Sequence, residues 1–313
     1  MARDQSAQSD ANLRRRIKRW REAFVDDVTG IQKTLDDMLW HYAAFRTALR
    51  IVALANKRRD STQPLNEMLF GLMAEGYWSS LFFGIRRLLD GSSGIKGERG
   101  VYSLRSVLRD VQACREKITR RVYVEWVCGE QYDVENLRQL HEQELQLAAR
   151  EQRAVWVDRR IPNSEYAHRY FDFLSGVPKT GRSAGDLIDI KFFSKIESRL
   201  SALDAIADFV GSHLAHAGNN ESRHGKALDN FDIRHARHAL RRIKRVADFV
   251  GVLFANEGGA GLATFIGDQF EGLDRPLVTK ADIKELEDQW HEIDRDIGNW
   301  SVPIARLLRK LAR

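Results

Sequence analysis

Apolar residues recur at alternating steps of four and three through Phe24, Val28, Ile31, Leu35, Met38, Tyr42, Phe45, Leu49 and Val52. This period of about 3.5 residues predicts one long helix with a seam packed along another helix. Gly30 loosens only its first turns. Helical period resumes with Leu65, Met68, Leu69, Leu72 and Met73 and runs on through Leu81, Phe82, Ile85, Leu88 and Leu89. Gly71, Gly76 and Gly84 interleave with these large side chains and allow a neighbouring backbone to come close. The loop Asp90 to Gly100 (DGSSGIKGERG) leads to a helix with Leu104, Val107, Leu108 and Val111 on its apolar face. The stripe over Asp133 to Arg153 is narrow and predicts a peripheral helix. Ile161-Pro162-Asn163 and Ser175-Gly176-Val177-Pro178 read as loops.

Two further core helices are predicted. Asp186 to Leu214 presents Ile196, Leu200, Leu203, Ala207, Val210 and Leu214; Asp232 to Phe254 presents Leu240, Ile243, Ala247, Val250 and Phe254. A last helix over about 279–300 carries Ile283, Leu286, Trp290, Ile293 and Ile297. No strand period of useful length occurs, so the expected class is all-α, a multi-helix bundle of long antiparallel helices with a helical insertion. The expected organisation is a flexible tail over 1–12, a bundle built from 13–120 and 185–256, an insertion over 121–184, and a C-terminal helix in 257–313 that packs on the bundle.

Composition narrows the class. Hydrophobic residues make up 43% of 313, mean hydropathy is −0.44 and Pro numbers only 5, which suits a soluble protein with long helices. No apolar run approaches the roughly 20 residues of a membrane span. The first residues lack the apolar core of a signal peptide, so the expected location is cytoplasmic, with Cys114 and Cys128 as reduced thiols. Net charge is +6. The excess concentrates in 13–21 (LRRRIKRWR) and in 223–245, either of which suits a phosphate backbone or a solvated helix face.

Candidate chemistry gathers at Ser212 to Asn220 (SHLAHAGNN). His213 and His216 share a helix face near a carboxyl end, where Gly218 and Asn219 signal a stop. Imidazoles there suit general acid–base work, His216 foremost and His213 assisting. The bland alternative is a helix cap plus one core imidazole. Two such ligands do not make a zinc site, and no HExxH or paired-cysteine motif is present, so neither metal nor cofactor is expected. Arg86 and Asp90 are spaced as a helix ion pair; if that end of the helix faces the histidines, Arg86 or Arg87 can hold a phosphate and Asp90 can support them. Asn219 offers an amide beside the histidines. Arg234, Arg237, Arg241, Arg242 and Arg245 form a basic helix for RNA phosphates, without interleaved aromatic residues for base stacking.

Two blocks together resemble the HEPN superfamily, and within it the AbiU-type abortive-infection family. One runs from Tyr77 to Leu108, with Arg86, Leu88 and Asp90 at a helix end, then Tyr102-Ser103-Leu104-Arg105. The other runs from Ile196 to Phe254, with His-Leu-Ala-His-Ala over 213–217 and Asn230-Phe231-Asp232-Ile233. The resemblance implies a bacterial antiphage defence protein with a helical core, usually a homodimer. In active members Arg and His from two subunits cleave RNA without a metal. Those members carry Arg followed after four to six residues by the catalytic His; here Gly211, Val210 and Phe209 stand at those positions before His216. The expectation is therefore a protein acting on RNA, an endoribonuclease with an atypical site. The alternative is a catalytically silent scaffold that binds nucleic acid or a partner toxin or antitoxin protein. A metal-dependent hydrolase is the third class.

Overall fold

A computed structural model describes residues 2–58, 66–92, 94–97, 100–156, 158–214, 224, 228, 231–258, 261–262, 268, 270–273 and 279–300. Among these residues the protein is all-α, with no strand and one isolated bridge between Thr119 and Leu187. The helices are α1 (Ala2–Val25), α2 (Ile31–Arg58), α3 (Glu67–Leu89), α4 (Leu104–Ala113), the single turn α5 (Arg120–Val122), α6 (Val134–Glu151), α7 (Arg160–Ser175), α8 (Ile190–Ser201), α9 (Asp204–Phe209), α10 (Ile233–Phe254) and α11 (Lys280–Trp300). Two compact units result, residues 1–263 and 264–313.

The continuous first helix and the loose tail expected from sequence are both replaced. Helix α1 begins at Ala2, and the chain turns at Asp26–Gly30 before α2. The Asp26 carboxylate accepts from the Val28 and Thr29 amides, and a Cβ on Gly30 would lie 2.4 Å from the Asp26 carbonyl oxygen. Only glycine closes a turn that tight without shifting the backbone. Val28, placed on the seam by its spacing, is 79% exposed in that turn.

Helices α2 and α3 form an antiparallel hairpin. Thr29 meets Arg87, Met38 meets Gly84, His41 meets Ser80 and Phe45 stacks on Tyr77, so the numbering runs in opposite senses along the contact. Gly84 is the point of closest approach, since an added Cβ would sit 2.2 Å from Met38 Sδ. Gly71 and Gly76 have open space instead, and Met68, Leu69, Leu72 and Met73 around them are exposed. The buried face of α3 starts only at Tyr77.

The core of the first unit joins α1, α2, α3, α4, α7, α8, α9 and α10. All five positions of the α10 seam, Leu240, Ile243, Ala247, Val250 and Phe254, are buried as their period requires. Asp110 ties α1 to α4 by accepting from Arg16 at 2.8 Å and from the Trp20 indole at 2.8 Å. The Pro162 segment, expected as a loop, lies in the first turn of α7, where proline's missing amide costs nothing. The expected single helix from Asp186 to Leu214 breaks at Ala202–Leu203 into α8 and α9. In the second unit α11 carries Ile283, Leu286, Trp290 and Ile293 on one exposed stripe.

Candidate functional site

Helix α9 does not end at Phe209. It widens into a π turn over Val210–Leu214, which carries His213. Such turns insert one residue into the helical register and recur at functional sites. Ser212 is buried and its hydroxyl donates to the Asp208 carbonyl at 2.9 Å. His213 Nδ1 lies 2.8 Å from the same hydroxyl oxygen. With the hydroxyl proton committed to Asp208, Nδ1 is placed to donate to the hydroxyl oxygen, and Nε2 points away from that contact. The ring stacks on Phe209 at 4.6 Å between centroids, which fixes its plane. His216 and Asn219, the other two residues that the sequence places here, lie outside the described residues.

Helix α3 brings Arg86 to this turn. Gly211 faces its guanidinium, and a Cβ there would lie 3.6 Å from the nearer terminal nitrogen. Phe82, one turn earlier, packs on Phe209 at 5.5 Å. Among the described residues Arg86 forms no ion pair, and the Arg86–Asp90 pair suggested by spacing does not form. Asp90 instead accepts from the Ser92 amide and hydroxyl, at 2.8 and 2.7 Å. Arg87 is also excluded from the turn, since it donates to the Thr29 carbonyl at 2.9 Å. The rest of this block is a joint. Ser103 caps α4 and donates to the Asp90 carbonyl, while Arg105 pairs with Glu197 at 2.9 Å and Asp204 at 2.7 Å. Arg86 is the arginine left facing His213's turn.

The basic helix divides in two. Arg234 is held by Asp232 at 2.8 Å, and His235 completes a capping box with the same residue, so both serve the start of α10. Burial is slight there, and hydrogen bonds from Arg234 come first in holding the Asp232 carboxyl well below the usual carboxylate range. Arg237 is exposed and does not line the groove that the later arginines face. Arg241, Arg242 and Arg245 instead line a groove of about 820 Å³ between α8, α9 and α10. Sequence reasoning missed two residues that complete it, Arg199 from α8 and Phe231 from the segment before α10. Arg199 sits beside Ala202 and Ala205, small residues at helical spacing, and that juxtaposition was the available signal.

A buried charge cluster joins α5, α7 and the segment before α8 without a site's openness. Arg120 has no exposed side-chain surface, lies 2.6 Å from Asp172 and 2.8 Å from Asp186, and its guanidinium rests 5.0 Å from the Phe171 ring centre. Arg182 also holds Asp172. These contacts clamp α5 to α7 and to the segment before α8, with each of these charges committed to a partner. Among the described residues no three His, Cys, Asp or Glu side chains converge as a metal site, and no helix is long and apolar enough to cross a membrane.

Residues 15–239, well over half of the chain, match the family model HEPN_AbiU2, described as AbiU2. No curated protein and no solved structure matches at a significant level.

Proposed function

The chain belongs to the AbiU2 family of HEPN-type proteins, and on that premise we propose that it is a cytoplasmic antiphage defence protein that cleaves RNA at the α9 π turn. One observation carries this reading: Arg86 lies against Gly211, two residues before His213. This supports Arg86 as the candidate for the cation that the sequence lacks upstream of the histidines.

In the proposed reaction His213 Nε2 removes the proton from a ribose 2′-hydroxyl. The 2′-oxygen attacks the adjacent phosphorus, the bond to the 5′-oxygen breaks, and His216 returns a proton to that leaving oxygen. The products are a 2′,3′-cyclic phosphate and a free 5′-hydroxyl. Arg86 stabilises the negative charge that grows on the phosphoryl oxygens. An imidazole pair suits both proton transfers near neutral pH. The active form is proposed as a homodimer.

Purified protein incubated with total RNA in EDTA is expected to yield fragments ending in cyclic phosphate. Arg86→Ala and His213→Ala are each expected to lower the rate at least 100-fold, within the range that one electrostatic or acid–base group contributes. Intact RNA with the unaltered protein, together with retention of RNA on a filter, would replace the nuclease by the silent scaffold. Cleavage only on adding a divalent ion would favour the metal-dependent class. Light scattering behind a sizing column reads the oligomeric state.

A further inference from the structure

The groove between α8, α9 and α10 combines two chemistries that the basic helix alone lacks. Arg199 faces it from α8, and Arg241, Arg242 and Arg245 face it from α10. Among the described residues none of the four forms an ion pair, and no acidic residue lines the groove. Their charges are therefore available to an anion. Between the arginines lies apolar surface, including Leu203, Ile206 and Phe231. Phe231 is half-buried, backed by Phe82 at 5.3 Å and flanked by the His235 ring at 5.7 Å.

Guanidinium groups on opposing helices match phosphates that flank a central group. An aromatic floor matches a flat unsaturated ring. The volume falls in the range of sites for compact ligands, far below what a helical duplex occupies. A duplex would also present only its phosphates and leave the floor unused, because its bases are stacked inside. We infer that this groove binds an unpaired nucleotide, with its base against Phe231 and its flanking phosphates on Arg199, Arg241, Arg242 and Arg245. A single-stranded stretch of RNA and a free nucleoside triphosphate share this chemistry. The inference deepens the RNA reading and rests on it for the strand as source, but it does not need the chain to cut RNA. A run of ring contacts, His235–Phe231–Phe82–Phe209–His213, joins this groove to the proposed cleavage turn.

The test is fluorescence anisotropy with a labelled 2′-O-methyl RNA hexamer, which lacks the hydroxyl needed for cleavage. The full-length protein is titrated with the hexamer as single strand and as duplex, and ATP is added as competitor. Single strand is expected to bind at least 10-fold more tightly than duplex. Arg199→Gln and Arg242→Gln should each weaken it at least 5-fold. Arg234→Gln removes the same charge from the same helix, but its guanidinium is held by Asp232 outside the groove, so binding should be unchanged. Circular dichroism checks that each variant is folded. Displacement by ATP at micromolar concentration identifies the free nucleotide as source; displacement only by unlabelled strand identifies RNA. Equal affinity for duplex and single strand, or equal loss in all three variants, would overturn the inference in favour of a diffuse basic surface. So would the absence of binding. Because the probe cannot be cut, loss of the nuclease activity leaves this result standing, and the reverse also holds.

Discussion

At the scale of single residues, burial decides which candidate groups are chemically available. Burial pushes the Cys114 thiol up to about 11 and the Cys128 thiol up to about 12, so neither is a thiolate at neutral pH. Native protein is expected to resist a thiol-specific chromogenic reagent at pH 8, with both thiols reacting once a denaturant is added. Carboxylates move the other way. Burial alone would raise Asp110, but the hydrogen bonds from Arg16 and Trp20 outweigh it and the net direction is down. Asp172 follows the same pattern, with burial opposed by Arg182 and Arg120. A folded value below the unfolded one means stability present above about pH 4 and lost as pH falls through the depressed folded value. Asp110→Asn is therefore expected to flatten the acid limb of a stability-against-pH curve measured by urea unfolding. Arg120→Met removes the buried cation that pairs with both Asp172 and Asp186 and is expected to cost about 3–5 kcal/mol in the same measurement. None of this was legible from composition. Arg120 and Asp172 are 52 positions apart, and nothing local marks either as buried.

At the scale of elements, periodicity told where helices pack and failed to tell where they stop. The α10 seam was readable because each of its apolar positions meets the core through one unbroken helix. The Phe24-to-Val52 pattern was misleading for a definite reason: the turn at Asp26–Gly30 preserves the spacing of apolar residues while interrupting the helix. Glycine alone also fails to distinguish contact from exposure, as Gly84 against Met38 and the open Gly71 demonstrate. Gly84→Ala is expected to destabilise the hairpin by about 1–3 kcal/mol in thermal or urea unfolding, because Met38 is buried and must be displaced. Gly71→Ala should hold or gain stability, since alanine is the better helix former in open space. Gly211 behaves differently from both. Alanine meets Arg86 at an ordinary contact distance, whereas Gly211→Leu displaces the guanidinium. RNA cleavage is expected to survive the first change and fall at least 10-fold in the second, with the folded state intact by circular dichroism.

At the scale of the whole molecule, the hydrophobic core lies between Leu13 and Ala255, inside the first compact unit. A chain ending at residue 263 is expected to unfold in one cooperative transition by circular dichroism; a broad, non-cooperative melt would show that the core needs more of the chain. Fold class was legible from sequence because helical period recurs across the chain and strand period does not. The candidate site was partly legible: His213 was marked by its helix-end setting and Arg86, together with Arg87, by the helix end at Asp90, while Arg199 and Phe231 of the groove come from other elements and carried no such mark. The π turn has one more implication. The proposed pair of Arg86 and His213 is divided between two elements more than 100 positions apart, so its spacing would be set by Phe82 on Phe209 and Arg86 on Gly211 rather than by the peptide between two neighbouring residues. On the proposed reading, sliding one helix along another would retune or silence such a site with every polar residue of the pair still in place.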